Sequence, residues 1–334
     1  EAKVGNFTYT VNEFTVPLAG LPITINRTYD SRRKSEVGDF GYGWDLDYNL
    51  VKTEKSRALG SQWQLNEFSS GPLGALRDYC VQPRGDILVN VTLPNDEVER
   101  FKVKASPECN QAVPVLDVAL TFEPQGDTQS TLKLASPQMV RLVDGRLENL
   151  GAGQAFDAND FVLTTREGYE YNFVANGDVR LITDPNSNSL TFSDSGITHS
   201  SGKAIVFSRD DDGTIRNIRR PDGELYNYSY SLQRDLRQVR MPDFFTRENY
   251  TYNSRHGLLT ISDTDGNRKI RNIYNDEGRL IAQEDDEGQR TSFDYDLAGR
   301  ESVVTDRNGN VSFYYYDVRG NVTSMVDALG QVST

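Results

Sequence analysis

The sequence predicts an all-β protein, built as a long antiparallel strip of β-hairpins. Turn signals rich in Gly, Asp, Asn and Pro recur about every 8 to 12 residues along most of the chain. Between the turns, apolar and polar residues alternate with a period of two, as at residues 258–262 and 322–326. No window combines the periodicity of an amphipathic helix with helix caps. These three observations favour short strands and disfavour helices.

A repeat of about 21 residues runs through the C-terminal part of the chain, and a period of this size indicates stacked supersecondary units. Gly257 lies at the start of the glycine column of this repeat. The residues that define the next three units are Tyr274, Gly278, Tyr295, Asp296, Gly299, Tyr316, Asp317 and Gly320. Weaker copies extend backwards, so we predict that the repeats occupy residues 156–334.

Each repeat contains a second turn, at residues 263–266, 285–288, 306–309 and 327–330. Two turns per unit predict two strands per unit, that is, one antiparallel hairpin. We therefore expect Gly278, Gly299 and Gly320 to lie in turns with positive φ, a conformation that glycine adopts at low cost.

Aromatic residues stand two apart in the strands that precede these turns. Because alternate residues share one face of a sheet, they are expected to form a ladder across successive hairpins. The ladder consists of Tyr226, Tyr228, Tyr230, Tyr250, Tyr252, Phe293, Tyr295, Tyr314 and Tyr316. An exposed ladder could stack on the apolar faces of sugars, whereas strand-to-strand packing explains the same pattern without a ligand.

Residues 51–155 are less regular and richer in loops. Strand candidates remain at residues 86–93, 98–104, 115–122 and 138–143. We predict that these strands belong to the same sheet as the repeats, with longer connections. The predicted organisation is therefore an N-terminal domain at 1–50, an irregular β segment at 51–155 and repeats at 156–334.

Two regions of the sequence resemble a known family. The strings YDLAGR at 295–300, DRNGN at 306–310 and FYYYD at 313–317 resemble the YD repeat of the RHS family. The string LAGLPITINRTYDS at 18–31, followed by GDFGYGW at 38–44, resembles the domain that precedes those repeats in bacterial RHS proteins. The resemblance covers both ends of the chain.

The resemblance implies that the strip spirals into part of a hollow β-shell, as in insecticidal toxin-complex C components, RHS effectors and the YD shell of teneurins. It implies a structural segment of a large secreted or cell-surface bacterial protein that encapsulates a C-terminal toxin or effector. The family's closing core motif and a toxin domain are not among these residues, so we expect the chain to be a piece of a longer protein. The expected partners are the continuation or cargo of the same chain, or a second copy through an open sheet edge.

The two cysteines, Cys80 and Cys109, lie in one segment of the chain. Their shared segment and the extracellular family favour a disulfide between them, although two unrelated reduced thiols would fit the sequence as well.

Composition excludes several classes of function. The net charge of −13 disfavours a nucleic-acid partner, since phosphate binding depends on clustered Lys and Arg. No apolar run is long enough for a membrane span. We therefore expect a shell protein or, as the alternative, a surface adhesin or carbohydrate-binding module.

We predict no catalytic residue, cofactor or metal site. His199 precedes Ser200 and Ser201, but no nucleophile motif surrounds them. His256 is interpreted as an ordinary turn residue. The acidic turns at 210–213 and 263–267 offer oxygen ligands for calcium, but Asp, Asn and Gly are also the residues that tight turns require.

Overall fold

A computed structural model describes residues 5–47, 51–71, 76–93, 97–149, 153–175, 179–318, 320 and 322–333. The described chain is almost entirely strand and turn, with one 3-10 turn at Ser31–Arg33. This confirms the predicted all-β class.

The strands are numbered in chain order. The first five are β1 (Thr8–Val16), β2 (Ile23–Asp30), β3 (Val37–Gly38), β4 (Gly41–Tyr42) and β5 (Trp44–Asp47). The next ten are β6 (Lys52–Lys55), β7 (Trp63–Ser70), β8 (Leu76–Pro83), β9 (Leu88–Thr92), β10 (Val98–Ser106), β11 (Cys109–Gln111), β12 (Asp117–Gln125), β13 (Thr131–Leu134), β14 (Met139–Val143) and β15 (Arg146–Glu148). They are followed by β16 (Asp160–Thr164), β17 (Glu170–Val174), β18 (Val179–Thr183), β19 (Ser189–Ser193) and β20 (Gly196–His199). The last are β21 (Ala204–Arg209), β22 (Ile215–Arg219), β23 (Leu225–Tyr230), β24 (Leu236–Arg240), β25 (Arg247–Tyr252), β26 (Leu258–Ser262), β27 (Arg268–Tyr274), β28 (Leu280–Glu284), β29 (Arg290–Asp296), β30 (Glu301–Thr305), β31 (Val311–Tyr316), β32 (Val322–Val326) and β33 (Val332–Ser333).

The chain forms two compact units that do not follow the three predicted segments. Unit 1 comprises Glu1–Val16, Ile23–Tyr48 and Ala204–Thr334, and unit 2 comprises Pro17–Pro22 and Asn49–Lys203. Most of the first predicted segment therefore packs with the later repeats instead of forming a domain of its own. The division of the chain at 1–50, 51–155 and 156–334 therefore remains a prediction.

In unit 1, the repeat strands from β21 to β33 lie side by side in chain order, and each is antiparallel to the next. The remaining strands form a small sheet in the order β1-β2-β5 and the pair β3-β4. One 21-residue unit corresponds to two strands, as in β27 with β28 or β29 with β30. The structure therefore contains the predicted hairpin per repeat.

The predicted glycine conformations hold at two of the three positions. Gly278 and Gly320 both have φ +80°, whereas Gly299 lacks a positive φ and Arg300 has φ +54° instead. In this repeat, pairing continues to Asp296 opposite Glu301 without a bulge. The neighbouring repeats contain a β-bulge just before the turn, which shifts their left-handed residue by one position. Likewise His256, and not Gly257, adopts the positive φ of its turn.

These conformations predict opposite effects of two substitutions. Gly309 has φ +84° and open space where a Cβ would lie, so Gly309→Ala meets only the backbone cost of the left-handed region. We expect a loss of about 1 to 2 kcal/mol. Arg300→Gly, which relieves the same cost, is expected to stabilise the protein. Urea denaturation of both variants measures whether the free energy of unfolding falls or rises. A change in the same direction for both variants would contradict the assignment of the left-handed positions.

Unit 2 corrects the expectation of a single continuous sheet. The strand candidates at 86–93, 98–104, 115–122 and 138–143 are present as β9, β10, β12 and β14, but they form a separate six-stranded sheet in the order β15-β14-β12-β10-β9-β6. One face of this sheet is apolar and joins a core that also includes β16 and β17. Phe122 contacts Phe161 edge to face at 5.9 Å between ring centroids. Stacking buries apolar faces of both sheets, which a lateral extension would leave exposed.

A third sheet of unit 2 has the order β11-β8-β7 and contains both cysteines. Cys109 lies directly opposite Cys80 in the antiparallel pairing, and their sulfur atoms are bonded. The bond fastens β11, a strand of three residues, to the longer hairpin of β7 and β8.

Removal of this disulfide should destabilise unit 2. Its sequence separation of 29 residues predicts a loss of about 3 to 4 kcal/mol for Cys80→Ala with Cys109→Ala in the chain-entropy description. Urea denaturation with and without a reductant checks this. The wild type should lose stability on reduction and the variant should not. Non-reducing peptide mass mapping that finds free thiols would contradict the bond itself.

Candidate functional site

The most elaborate group of side chains in unit 1 lies where the N-terminal segment, residues 5–16 and 23–47, packs on the repeat strands. It covers the aromatic face, which is the sheet face that carries the tyrosine ladder. The ring pairs, with the distances between centroids, are Phe14 and Tyr226 at 4.9 Å, Phe40 and Tyr228 at 4.6 Å, Trp44 and Tyr250 at 5.3 Å, and Tyr29 and Tyr252 at 6.5 Å. Such pairs stabilise beyond the apolar area that they bury.

This packing corrects the idea of an exposed ladder. Tyr226, Tyr228 and Tyr250 are only 7%, 4% and 3% exposed. Their rings are therefore unavailable to a sugar. The later members of the ladder, from Phe293 to Tyr316, are half-buried.

Arg27 lies at the centre of the interface and is fully buried. Its Nε is 2.6 Å from Oε1 of the buried Glu13, and its Nη2 donates to the Tyr250 hydroxyl at 3.0 Å. The guanidinium also lies 4.4 Å from the centroid of the Trp44 ring, which is cation–π geometry. One side chain thus joins β1 and β2 to β25 and β5.

The repeat side of this cluster supplies a second carboxylate. Glu248 Oε2 is 3.6 Å from Arg27 Nη2, and Glu248 Oε1 is 3.2 Å from Lys269 Nζ. The Tyr250 hydroxyl donates to Glu248. Burial raises the pKa of Tyr250 well above its ordinary value, so the phenol keeps its proton. The cluster can hold two parts of the chain together, but it offers no activated nucleophile.

The tyrosine of each YD motif fastens one repeat to the previous one. The Tyr274 hydroxyl donates to the Leu258 carbonyl at 3.0 Å, and the Tyr295 hydroxyl donates to the Leu280 carbonyl at 2.6 Å. In the next repeat, the Tyr316 hydroxyl is 2.6 Å from Ser302 Oγ. The sequence identified Tyr295 and Tyr316 as ladder rings and Tyr274 as a repeat residue, but the spacing of the rings did not predict their hydroxyl contacts.

The aspartates of the motifs stabilise turns. Asp296 Oδ1 accepts hydrogen bonds from the amides of Ala298 and Gly299. In the second turns, Oδ1 atoms of Asp263 and Asp306 accept two backbone amides each. Side-chain hydrogen bonds from Asn267 and Asn310 lower the pKa of these two carboxyl groups. No group of three or more potential metal ligands occurs in the described residues.

Loss of one inter-repeat hydrogen bond gives a measurable prediction. Tyr295→Phe removes the donor to the Leu280 carbonyl, and we expect a loss of about 1 kcal/mol in the free energy of unfolding. Tyr314→Phe is the matched control, because Tyr314 lies on the same face and no hydrogen bond of its hydroxyl occurs in the described part of the chain. Urea denaturation should distinguish them, and equal effects would contradict the fastening role.

The two histidines serve in local structure. His199 Nδ1 accepts from the Ser201 amide at 3.0 Å, and Nε2 lies 3.2 Å from the Ala19 carbonyl. Ser200 Oγ accepts from the Ser189 amide, and Ser201 Oγ lies 2.8 Å from His199 Nδ1. The other ring nitrogen of His199 faces the Ala19 carbonyl instead of the carboxylate that orients the base in a catalytic triad. His256 is more than the turn residue that the sequence suggested, since its ring stacks on Tyr42 at 3.7 Å. Its Nδ1 is also 2.8 Å from Asp235 Oδ1.

Two family comparisons agree with this geometry. The family described as RHS Repeat matches residues 274–311, a stretch that includes β28, β29 and β30. A Domain of unknown function (DUF6531) matches residues 2–52, which include all of the described N-terminal segment. This chain contains an RHS repeat. Tyr274, Tyr295 and Asp296, whose hydroxyl and carboxylate contacts are described above, lie within its RHS match.

Comparisons with curated proteins and with solved structures give no evidence on function. No curated protein matches the chain. A chain in "Crystal Structure of TcdB2-TccC3-Cdc42" is similar over 76% of the present chain, with 12% identity and a TM-score of 0.26. The present chain spans 21% of that one. A likeness at this score supports no conclusion about function.

No helix in the described part of the chain has the length and apolar character needed to cross a membrane.

Proposed function

We propose that this RHS-repeat chain is a wall segment of a β-shell that encloses a C-terminal toxin or effector cargo. The observation that carries the proposal is the unbroken antiparallel order from β21 to β33. Each YD tyrosine fastens its repeat to the one before it. Because each repeat contacts its neighbours, further repeats can be added to such a strip without altering the earlier ones, as the wall of a shell requires.

The N-terminal segment supports this proposal because it packs against the repeat strands that carry Tyr226, Tyr228, Tyr250 and Tyr252. It covers the aromatic face with rings and a buried cation, so several repeat strands are held together by contacts distant in sequence. The function is structural in this proposal, not catalytic. Secretion or display on a bacterial surface is part of the proposal, and the disulfide suits an oxidising compartment.

A carbohydrate-binding adhesin is the less favoured function. Its support was the expected exposure of the aromatic ladder, and the burial of Tyr226, Tyr228 and Tyr250 removes that support for the first part of the ladder.

The proposed partners are the cargo and whatever strand pairs with β33. This strand is last in its sheet order and has one described neighbour, β32. Val332 on β33 is 66% exposed, and Leu329 in the preceding turn is 84% exposed. An open edge with apolar neighbours pairs readily with further repeats or with a second copy of the chain.

Protease protection tests the proposed function. The natural polypeptide that includes this chain and its cargo is digested with trypsin, next to the cargo expressed alone. We expect the cargo to be cut at least about tenfold more slowly in the intact protein, because opening of the wall must precede cleavage. Arg27→Met, which weakens the wall but leaves the cargo sequence intact, should reduce the protection. Equal cleavage rates of the enclosed and free cargo would contradict encapsulation.

A further inference from the structure

One turn of the repeat strip in unit 1, between β24 and β25, departs from the pattern of its neighbours. On the same edge of the sheet, five turns place a glycine at the position whose amide donates three residues back, with φ between +79° and +94°. These residues are Gly223, Gly266, Gly288, Gly309 and Gly330. In the turn at 241–246, Phe244 takes this position with φ +64°. A bulky residue at positive φ is rare because its side chain crowds the backbone, so this turn has a conformational cost that its neighbours avoid.

The aromatic rings of this turn do not offset that cost by packing. Phe244 is 59% exposed and Phe245 is 81% exposed. No ring contact of either residue occurs in the part of the chain that the structure describes. A strained backbone that persists without compensating contacts is a reason to look for a binding role at the same place.

Two arginines lie directly opposite each other at the base of this turn. Arg240 on β24 pairs with Arg247 on β25. The Met241 amide donates to the Thr246 carbonyl, and the Arg247 amide donates away from β24, to Thr264 Oγ1. The arginine pair is therefore of the non-hydrogen-bonded kind, with Cα atoms about 4.5 Å apart and side chains close together. Like charges in such a pair destabilise a sheet.

Neither guanidinium has an ion pair or a hydrogen-bond partner among the described residues, and Nε of Arg240 is buried. The preceding cross-strand pair, Val239 and Glu248, lies on the aromatic face, so both arginines lie on the opposite face, which we call the outer face. The strands from β22 to β26 contain one acidic residue, Glu248, and it faces Arg27. The outer face of these strands therefore has no carboxylate to neutralise the pair.

The groups nearest to the arginine pair favour an anion with several acceptor oxygens. Asn227 on β23 lies opposite Arg240 and adds an uncharged amide. Asp243 is the acid of the turn, but its carboxylate accepts the backbone amides of Phe245 and Thr246. A phosphate group carries more than one negative charge and binds arginine through paired hydrogen bonds, so one phosphate can satisfy both guanidinium groups.

We propose that the outer face of β24 and β25 binds a phosphate group between Arg240 and Arg247. The phosphate is either inorganic phosphate or the headgroup of a lipid. The exposed rings of Phe244 and Phe245 distinguish the two sources, because only a lipid offers acyl chains to them. This inference goes beyond the proposed wall function and does not depend on the presence of a cargo.

A phosphate titration of the full chain tests the site. The backbone amide signals of residues 240–247 are followed by NMR while inorganic phosphate, or acetate at the same ionic strength, is added. We expect saturable shifts with phosphate and at least about tenfold weaker binding of acetate, because one carboxylate neutralises one of the two guanidinium charges. Equal binding of the two anions, or no saturable shift with phosphate, would overturn the proposal.

Charge variants make the test specific to the arginine pair. Arg240→Gln with Arg247→Gln should weaken phosphate binding at least about tenfold. This variant should fold, because it removes a pair of opposed like charges, and urea denaturation checks that it does. The matched control is Arg290→Gln with Arg307→Gln, which removes two arginines that face carboxylates on β28 and in the turn after it. If the control weakens binding as much, the attraction is a general charge effect and the site is refuted.

A vesicle assay distinguishes the two sources of phosphate. The probe is a vesicle of equal parts phosphatidylcholine and phosphatidic acid, and the readout is co-sedimentation of the full chain. For a lipid headgroup, Phe244→Asn with Phe245→Ser should weaken sedimentation at least about tenfold and leave the binding of inorganic phosphate unchanged, because only acyl chains contact the rings. Phosphate binding without sedimentation of the wild type assigns the site to free phosphate. Sedimentation that survives Arg240→Gln with Arg247→Gln would overturn the arginine pair as a headgroup site.

Discussion

Arg27→Met is expected to lower the free energy of unfolding of unit 1 by about 3 to 5 kcal/mol. The substitution leaves Glu13, which is fully buried at its side chain, without the guanidinium 2.6 Å away. A buried carboxylate without its partner must be protonated or hydrated, and either process costs free energy. The lost contact with the Trp44 ring adds to this effect.

Urea unfolding followed by Trp44 fluorescence measures this loss. The chain contains two tryptophans, so a Trp63→Phe background leaves Trp44 as the single reporter beside Arg27. Arg307→Met is the matched control, because its ion pair with Asp285 is 3.6 Å long and the Arg307 side chain is 60% exposed. We expect a change within about 1 kcal/mol for that control.

A double variant separates the lost charge from the lost packing. Arg27→Met with Glu13→Gln removes both buried charges and should recover part of the stability. If Arg27→Met alone has no larger effect than Arg307→Met, the buried ion pair does not hold the N-terminal segment on the repeats.

Trp44→Ala is the second substitution with a large expected effect, about 3 to 5 kcal/mol. The ring is completely buried and contacts Tyr29 at 5.4 Å and Tyr250 at 5.3 Å between centroids. Its Nε1 also donates to the Tyr252 hydroxyl at 2.8 Å. Truncation therefore leaves a cavity and a phenol without its donor.

Hydrogen exchange identifies the strands that Trp44→Ala destabilises. We expect faster exchange of backbone amides in β2 and β25, the strands whose tyrosines contact Trp44. Leu329→Ala is the control, since Leu329 is 84% exposed and its truncation opens no cavity. Trp44→Phe keeps most of the ring volume and should cost less. Unchanged exchange in β25 of Trp44→Ala would contradict the role of Trp44 in covering the aromatic face.

Sequence alone determined the class, the hairpin repeat and most turns of this protein. The reason is that these features are local. A turn such as 306–309 is specified by Asp306, which accepts the amides of Asn308 and Asn310, and by Gly309, which tolerates φ +84°. Strand alternation is equally local, because successive side chains point to opposite faces.

Tertiary structure decided what lies on each face. Arg27 and Tyr250 are 223 residues apart, so no local pattern shows that the aromatic ladder is covered or that a cation is buried on it. The stacking of the separate six-stranded sheet in unit 2 likewise depends on contacts such as Phe122 with Phe161. Even the choice between Gly299 and Arg300 for the left-handed position depends on whether the strand pairing contains a bulge. Alternation specifies which residues share a face, but which surface covers that face depends on the burial of apolar area between segments distant in the chain.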